Sequence, residues 1–270
     1  MKLDSRKPRT VIPRSWAAAA VAGLAIAHPA LTTVFAPSAA PANTSTSEAG
    51  EGGEAGEAGV VLTDGRTRLL TQLGYFEGTY RIVSDLYLSG KRDLARAHLE
   101  ESHHAFYEDV VPMLAEYNAP AFDDEAEAFT SAILEDATDD TVIATRDALY
   151  TALEATSAAS VASTFERLQS LHDLMSLAAA EYDGGVANGT VDVAIEYRDS
   201  WGFYSTAKSR AEVLARSDDK AMAKAANDVL MRLDGLDAFY PGLDAEATIG
   251  DSSMLHAAAG WLEIIALPNK

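Results

Sequence analysis

From residue 63 to the C-terminus, apolar residues recur at every third or fourth position, and strand-like alternation is scarce. That period restricts the chain to helices which bury one face against each other. Breakers divide it into segments at about 64–88, 91–117, 123–137, 140–158, 160–183, 192–216, 217–240 and 252–266. Gly90, Asn118-Ala119-Pro120, Gly184-Gly185, Asn188-Gly189 and Pro241-Gly242 supply the stops. Asp123 is the expected cap of the third helix, Asp139-Asp140 the entrance to the fourth, and Ser217 or Asp218 the cap of the seventh. Short connections favour antiparallel neighbours. The pattern predicts an all-α fold, an antiparallel bundle of about eight helices, with two four-helix halves as one arrangement.

The first 62 residues lack this period. Lys2, Arg6, Lys7, Arg9 and Arg14 precede the apolar run Trp16–Ala27, which His28-Pro29 interrupts well short of the ~20 residues a membrane span requires. Ala40-Pro41-Ala42 then offers a small-residue cleavage site. Residues 1–42 are expected to be a signal peptide, leaving no stable membrane insertion after cleavage and a periplasmic or secreted product. Residues 43–62, with the run EAGEGGEAGEAG, form an acidic linker expected to be disordered. Residues 63–270 form the helical domain.

Charge and cysteine content remove whole classes of function. Lysine and arginine number 21 against 41 acidic residues, a net charge of −20. Removing residues 1–42 takes away five positive charges and one negative, leaving 16 against 40, or −24. Nucleic acid is therefore an unsuitable partner. The absence of cysteine excludes disulfides, thiolate metal sites and cysteine nucleophiles. No G-x-S-x-G, H-E-x-x-H, P-loop or G-x-G-x-x-G motif occurs, so no enzymatic activity is expected.

Several ionisable residues fall on apolar faces. If 91–117 is one helix, Leu99, Phe106, Val110, Met113, Leu114 and Tyr117 define its buried arc, with His103 at its centre and Glu100 beside it. His98, Glu101 and Glu108 then point to solvent. Glu100-x-x-His103 and Glu101-x-x-His104 have the spacing with which one helix can offer a carboxylate and an imidazole to a metal. In the fifth helix His172 is central to the stripe Val161, Phe165, Leu168, Met175 and Ala179; with Met175 it could also form a soft copper site. In the sixth, Glu196 shares the line of Phe203, Ala207 and Leu214, and Asp199 follows one turn on. A buried carboxylate needs a cation, a donor or a metal, and a network reaching Arg210 is the metal-free alternative. His103, His172 and Glu196 are expected to be inaccessible, and His98 and His256 exposed.

The segment EYDGGVANGTVDVAIEYRDSWGF, residues 181–203, ends one helix in Tyr182, turns at Asn188-Gly189 and continues into E-Y-x-D-x-x-x-F. It resembles the soluble helical regions that precede some bacterial iron permeases, and the wider exported group that includes imelysin-like proteins. The permease's own R-E-x-x-E motifs are missing, and Arg96 stands where the imelysin G-x-H-x-x-E signature needs glycine before His98-x-x-Glu101. The resemblance implies a periplasmic helical protein connected with iron handling. It marks Glu181, Glu196, Tyr197 and Asp199 as motif positions.

Two functions fit these features. One is an exported metal-binding or metal-delivery protein for iron or another divalent or trivalent ion, with an inner-membrane permease as candidate partner. Its ligands would come from His103, His172, Glu196, Asp199, Glu100 and Glu181, converging between the second, fifth and sixth helices. The other is a metal-free interaction or sensor module of the cell envelope.

Overall fold

Asn188 and Gly189 have positive φ, 53° and 79°, so an Asn-Gly turn reverses the chain between two long helices. It closes the two-residue strands β1 (Val186–Ala187) and β2 (Thr190–Val191), and the helices it joins, α6 (Thr164–Gly185) and α7 (Ala194–Leu214), run antiparallel. The computed structural model describes residues 63, 65–102 and 107–270. The expected signal peptide and linker, and His103, lie outside them. The remaining helices are α1 (Arg66–Leu88), α2 (Arg92–Glu101), α3 (Tyr107–Tyr117), α4 (Asp123–Leu134), α5 (Asp139–Ala159), α8 (Lys220–Leu233) and α9 (Ser253–Ala266). None of the described helices is long and apolar enough to cross a membrane.

The helix starts follow capping chemistry. At α6, Ser163 Oγ accepts from the Glu166 amide at 3.2 Å while Glu166 Oε2 accepts from the Ser163 amide at 2.7 Å, a reciprocal capping box. Asp219, rather than Ser217 or Asp218, caps α8 by accepting from the Ala221 and Met222 amides. Phe122 occupies the cap position of α4 and Asp123 lies in its first turn, where a carboxylate favours the helix dipole. The expected seventh helix ends early, at Leu233, before a short 3-10 turn over Leu236–Phe239.

Two cores result. Helices α6–α9 close on Tyr182, Tyr197, Phe203, Tyr204, Leu233 and Leu262, and α1–α5 on Phe76, Tyr80, Phe122, Phe129 and Leu149. The C-terminal half is thus a four-helix bundle, while the N-terminal half contains five helices among the described residues. The additional one arises because the segment expected as a single helix over 91–117 divides: Ser102 leaves α2 with extended backbone (φ −68°, ψ 133°). Its hydroxyl lies 3.3 Å from that of Thr79 on α1. Helix α1 is buried on nearly every face and crosses α7 where Gly78 meets Gly202; a Cβ on Gly78 would stand 3.1 Å from the Gly202 carbonyl carbon.

Candidate metal centre

The α6–α7 pair sets the register of the acidic residues. Ser200 Oγ donates to the Ala178 carbonyl at 2.6 Å, and the carboxylate of Glu196 lies against Gly184, where a Cβ would come within 1.7 Å of Oε2. This register puts Glu181 of α6 opposite the turn of α7 that carries Glu196 and Asp199. All three are buried, retaining 1, 4 and 4% of their exposure. Burial first, and the neighbouring charge of Asp199 second, push the Glu196 carboxyl above the usual carboxylate range.

Helix α2 brings a fourth group to this turn. His98 is fully buried, with Nε2 3.3 Å from Asp199 Oδ1, and neither ring nitrogen makes a hydrogen bond of ordinary geometry. This corrects the expectation that His98 faces solvent. The phase of the presumed long helix came from Phe106, Val110 and Leu114, which follow the break at Ser102. Within α2 alone, Ala95 and His98 share the buried line. Arg198 adds a guanidinium on the same stretch of α7. It donates to the Leu243 carbonyl at 2.9 Å, and burial holds its pKa below the ordinary arginine value against the pull of Glu101, Asp199 and Asp244.

Helices α6 and α7 also carry Tyr182, Tyr197 and Tyr204, whose rings pack around Tyr240. The Tyr197 hydroxyl donates to the Gly242 carbonyl at 3.1 Å and that of Tyr182 to Thr248 Oγ1 at 2.9 Å. Tyr204 stacks on Tyr240, with ring centroids 5.5 Å apart. Motif residue Tyr197 therefore anchors α7 to the loop before α9, which fixes the turn bearing Glu196 and Asp199.

The other candidates disperse. His172 is half-buried, with Nδ1 3.0 Å from the Ala259 carbonyl on α9, and it precedes Glu181 by nine residues, roughly 13 Å along the helix. The structure does not unite it with Glu196. Glu100 is exposed on α2. Arg210 pairs with Glu77 at 2.9 Å instead of with Glu196. His256 is exposed, its Nε2 2.7 Å from Asp183 Oδ2. Among the described residues no group of three or more His, Asp or Glu side chains is gathered closely enough to hold a metal ion. The convergence expected of three donors is therefore not met among them; His98–Asp199 is a close pair, with Glu196 and Glu181 in the adjoining turns.

Residues 157–263 match a family model described as the iron permease-associated 4-helix bundle domain. The match runs from the last turn of α5 to the last turn of α9 and contains the whole segment 181–203 on which the sequence resemblance rests. Comparison with curated proteins and with solved structures finds no match.

Proposed function

We propose that this chain is an exported, metal-binding module of an iron-permease system, taking iron or another hard or borderline cation through Glu181, Glu196, Asp199 and His98. The observation that carries the reading is the burial of three carboxylates and an imidazole within one stretch of α2, α6 and α7. These lie largely inside a bundle of the iron permease-associated type. Oxygen donors with one imidazole suit iron, manganese or zinc, and a cation offsets the cost of burying acidic side chains together. Release to a permease would break the bonds between these side chains and the ion, with proton uptake by the buried carboxylates offsetting the lost cation charge. Export rests on the basic and apolar N-terminal sequence, and a periplasmic or secreted location follows from it.

Calorimetric titration of untagged protein with ferrous and ferric iron and with zinc tests the ligand set. Asp199→Asn and Glu196→Gln are expected to weaken binding at least tenfold, with His98→Asn following them. His172→Ala, about 13 Å away along α6, is expected to leave affinity near wild type. His103→Ala, in the segment outside the described residues, shows whether that histidine joins the set. Equal affinity in wild type, Asp199→Asn and Glu196→Gln refutes these ligands. The alternative, a metal-free interaction or sensor module, draws on the lack of a gathered three-donor group among the described residues. It takes precedence if wild type binds none of the ions.

A further inference from the structure

A cavity of about 300 Å³ opens between α1, α5, α6 and α7. Arg167 on its wall precedes Glu181 by fourteen residues of α6, roughly 21 Å along the axis, so the cavity is separate from the acidic turn. Leu70, Leu153, Leu171 and Leu214 form apolar walls, and the charged lining sets Arg81, Arg167 and Arg210 against Glu77 and Glu154.

The charges do not cancel. Glu77 is neutralised from both sides, by Arg81 at 2.6 Å and by Arg210 at 2.9 Å. Those two arginines are otherwise occupied, Arg81 donating to Ser209 Oγ at 2.7 Å and Arg210 to the Leu70 carbonyl at 2.6 Å. Arg167 is different. Its Nε donates to the Ala162 carbonyl at 3.1 Å, and its guanidinium forms no ion pair among the described residues. Three guanidinium groups of the lining thus stand against one largely buried carboxylate, while Glu154 and Glu212 are exposed and Glu166 attracts Arg167 from outside the lining. In a chain of net charge −20 such a surplus runs against the general surface.

A second observation concerns Tyr150. Its hydroxyl is buried and makes no hydrogen bond of ordinary geometry; Ser84, nearby on α1, donates its own proton to the Arg81 carbonyl. The ring lies under the Arg81 guanidinium, 5.2 Å away, which fixes its orientation. A buried hydroxyl without an acceptor is unfavourable unless something else supplies one. The Arg81–Glu77–Arg210 triad ties α1 to α7 and forms no ion pair with Arg167, whose guanidinium shares the cavity wall with Tyr150.

We propose that this cavity binds a small organic carboxylate, its carboxylate held by Arg167 and the Tyr150 hydroxyl and its apolar body lodged between the leucines. A planar carboxylate matches the guanidinium fork, and the volume lies at the small end of the range for small-molecule sites.

Titration of the full chain with sodium benzoate, citrate and inorganic phosphate at neutral pH tests the proposal. Benzoate is expected to bind saturably and more tightly than citrate or phosphate, which carry charge without an apolar body. Arg167→Gln weakens benzoate binding about ten- to a hundredfold, the range for losing a charged hydrogen-bond partner. Arg167→Lys, which keeps the charge and loses the fork, falls between the two. Tyr150→Phe weakens it several-fold, and Glu196→Gln leaves it unchanged because the acidic turn is distant. Circular dichroism and the melting temperature establish that each variant is folded. The proposal is overturned if wild type shows no saturable benzoate binding, if Arg167→Gln retains full affinity, or if phosphate binds as tightly as benzoate.

Discussion

Two adjacent glycines at the end of α6 distinguish the packing of α6 on α7 from the proposed ligand role of Glu196. A Cβ on Gly185 would stand 2.6 Å from the Tyr197 amide nitrogen, 3.0 Å from its Cα and 3.1 Å from the Val193 carbonyl oxygen. All three are backbone atoms of the turn that starts α7, and the Gly185 carbonyl already accepts from the Asp192 and Val193 amides. Nothing there can rotate aside, so Gly185→Ala must push α7 away from α6. Overpacking of this kind costs about 1–3 kcal/mol, and alanine's helix propensity returns at most about 1 kcal/mol. A net loss of about 1–2 kcal/mol lowers the melting temperature of a domain this size by roughly 2–8 °C. One residue earlier, the atoms nearest the Cβ of Gly184→Ala are those of the Glu196 carboxylate, with Oε2 at 1.7 Å and Cδ at 2.9 Å. A side-chain tip can turn away. Gly184→Ala should therefore stay within about 1 kcal/mol of wild type, yet lose metal affinity by about tenfold, as when a ligand's support is disturbed. Calorimetric melting of both variants, with iron titration of Gly184→Ala, makes the comparison. If Gly184→Ala melts as low as Gly185→Ala, or Gly185→Ala melts with wild type, the α6–α7 register described above is wrong.

Burial alone would raise the Glu77 carboxyl, but Arg210 and Arg81 outweigh it and hold the group below its ordinary value of 4.5. Its contribution is therefore complete above that value and is lost as pH falls through the depressed native one. Glu77→Gln leaves Arg81 and Arg210 without their partner. The cost is about 3 kcal/mol, near the low end for breaking a buried pair, because the arginine side chains retain 22 and 17% exposure. Urea unfolding should show that gap at pH 7 and its narrowing below pH 4.5, whereas a gap independent of pH would contradict the assignment. Ser163→Ala removes one half of the α6 capping box and should cost about 1 kcal/mol, seen as a melting temperature lower by roughly 2–4 °C; an unchanged value would mean that the cap contributes nothing.

What could be read from the sequence was what local chemistry decides. Asn188-Gly189 specifies a hairpin turn through its own backbone preferences, whereas the start of α6, expected near 160, lies at Thr164, and Ser163 and Glu166 three residues apart were its unused sign. Glu196 was legible as a buried carboxylate because Phe203 and Ala207, which set its phase, lie on the same uninterrupted helix. His172 kept its helix too, but its partner is a carbonyl 87 residues away on α9, which no spacing in α6 announces. Arg210 likewise meets Glu77 across 133 residues, although Glu77 and Arg81 one turn apart on a helix buried all round were a usable sign of a polar crossing. His98 failed for a different reason. At about 100° per residue, a helix phase carries across any segment assumed continuous, so that Val110 orients a residue twelve positions earlier. Ser102 interrupts that segment, its hydroxyl beside Thr79 on a separate helix. With α2 ending there, His98 takes its direction from Ala95, and that direction leads to Asp199. A polar residue's face is thus predictable only as far as its own helix extends, and here α2 extends no further than Glu101.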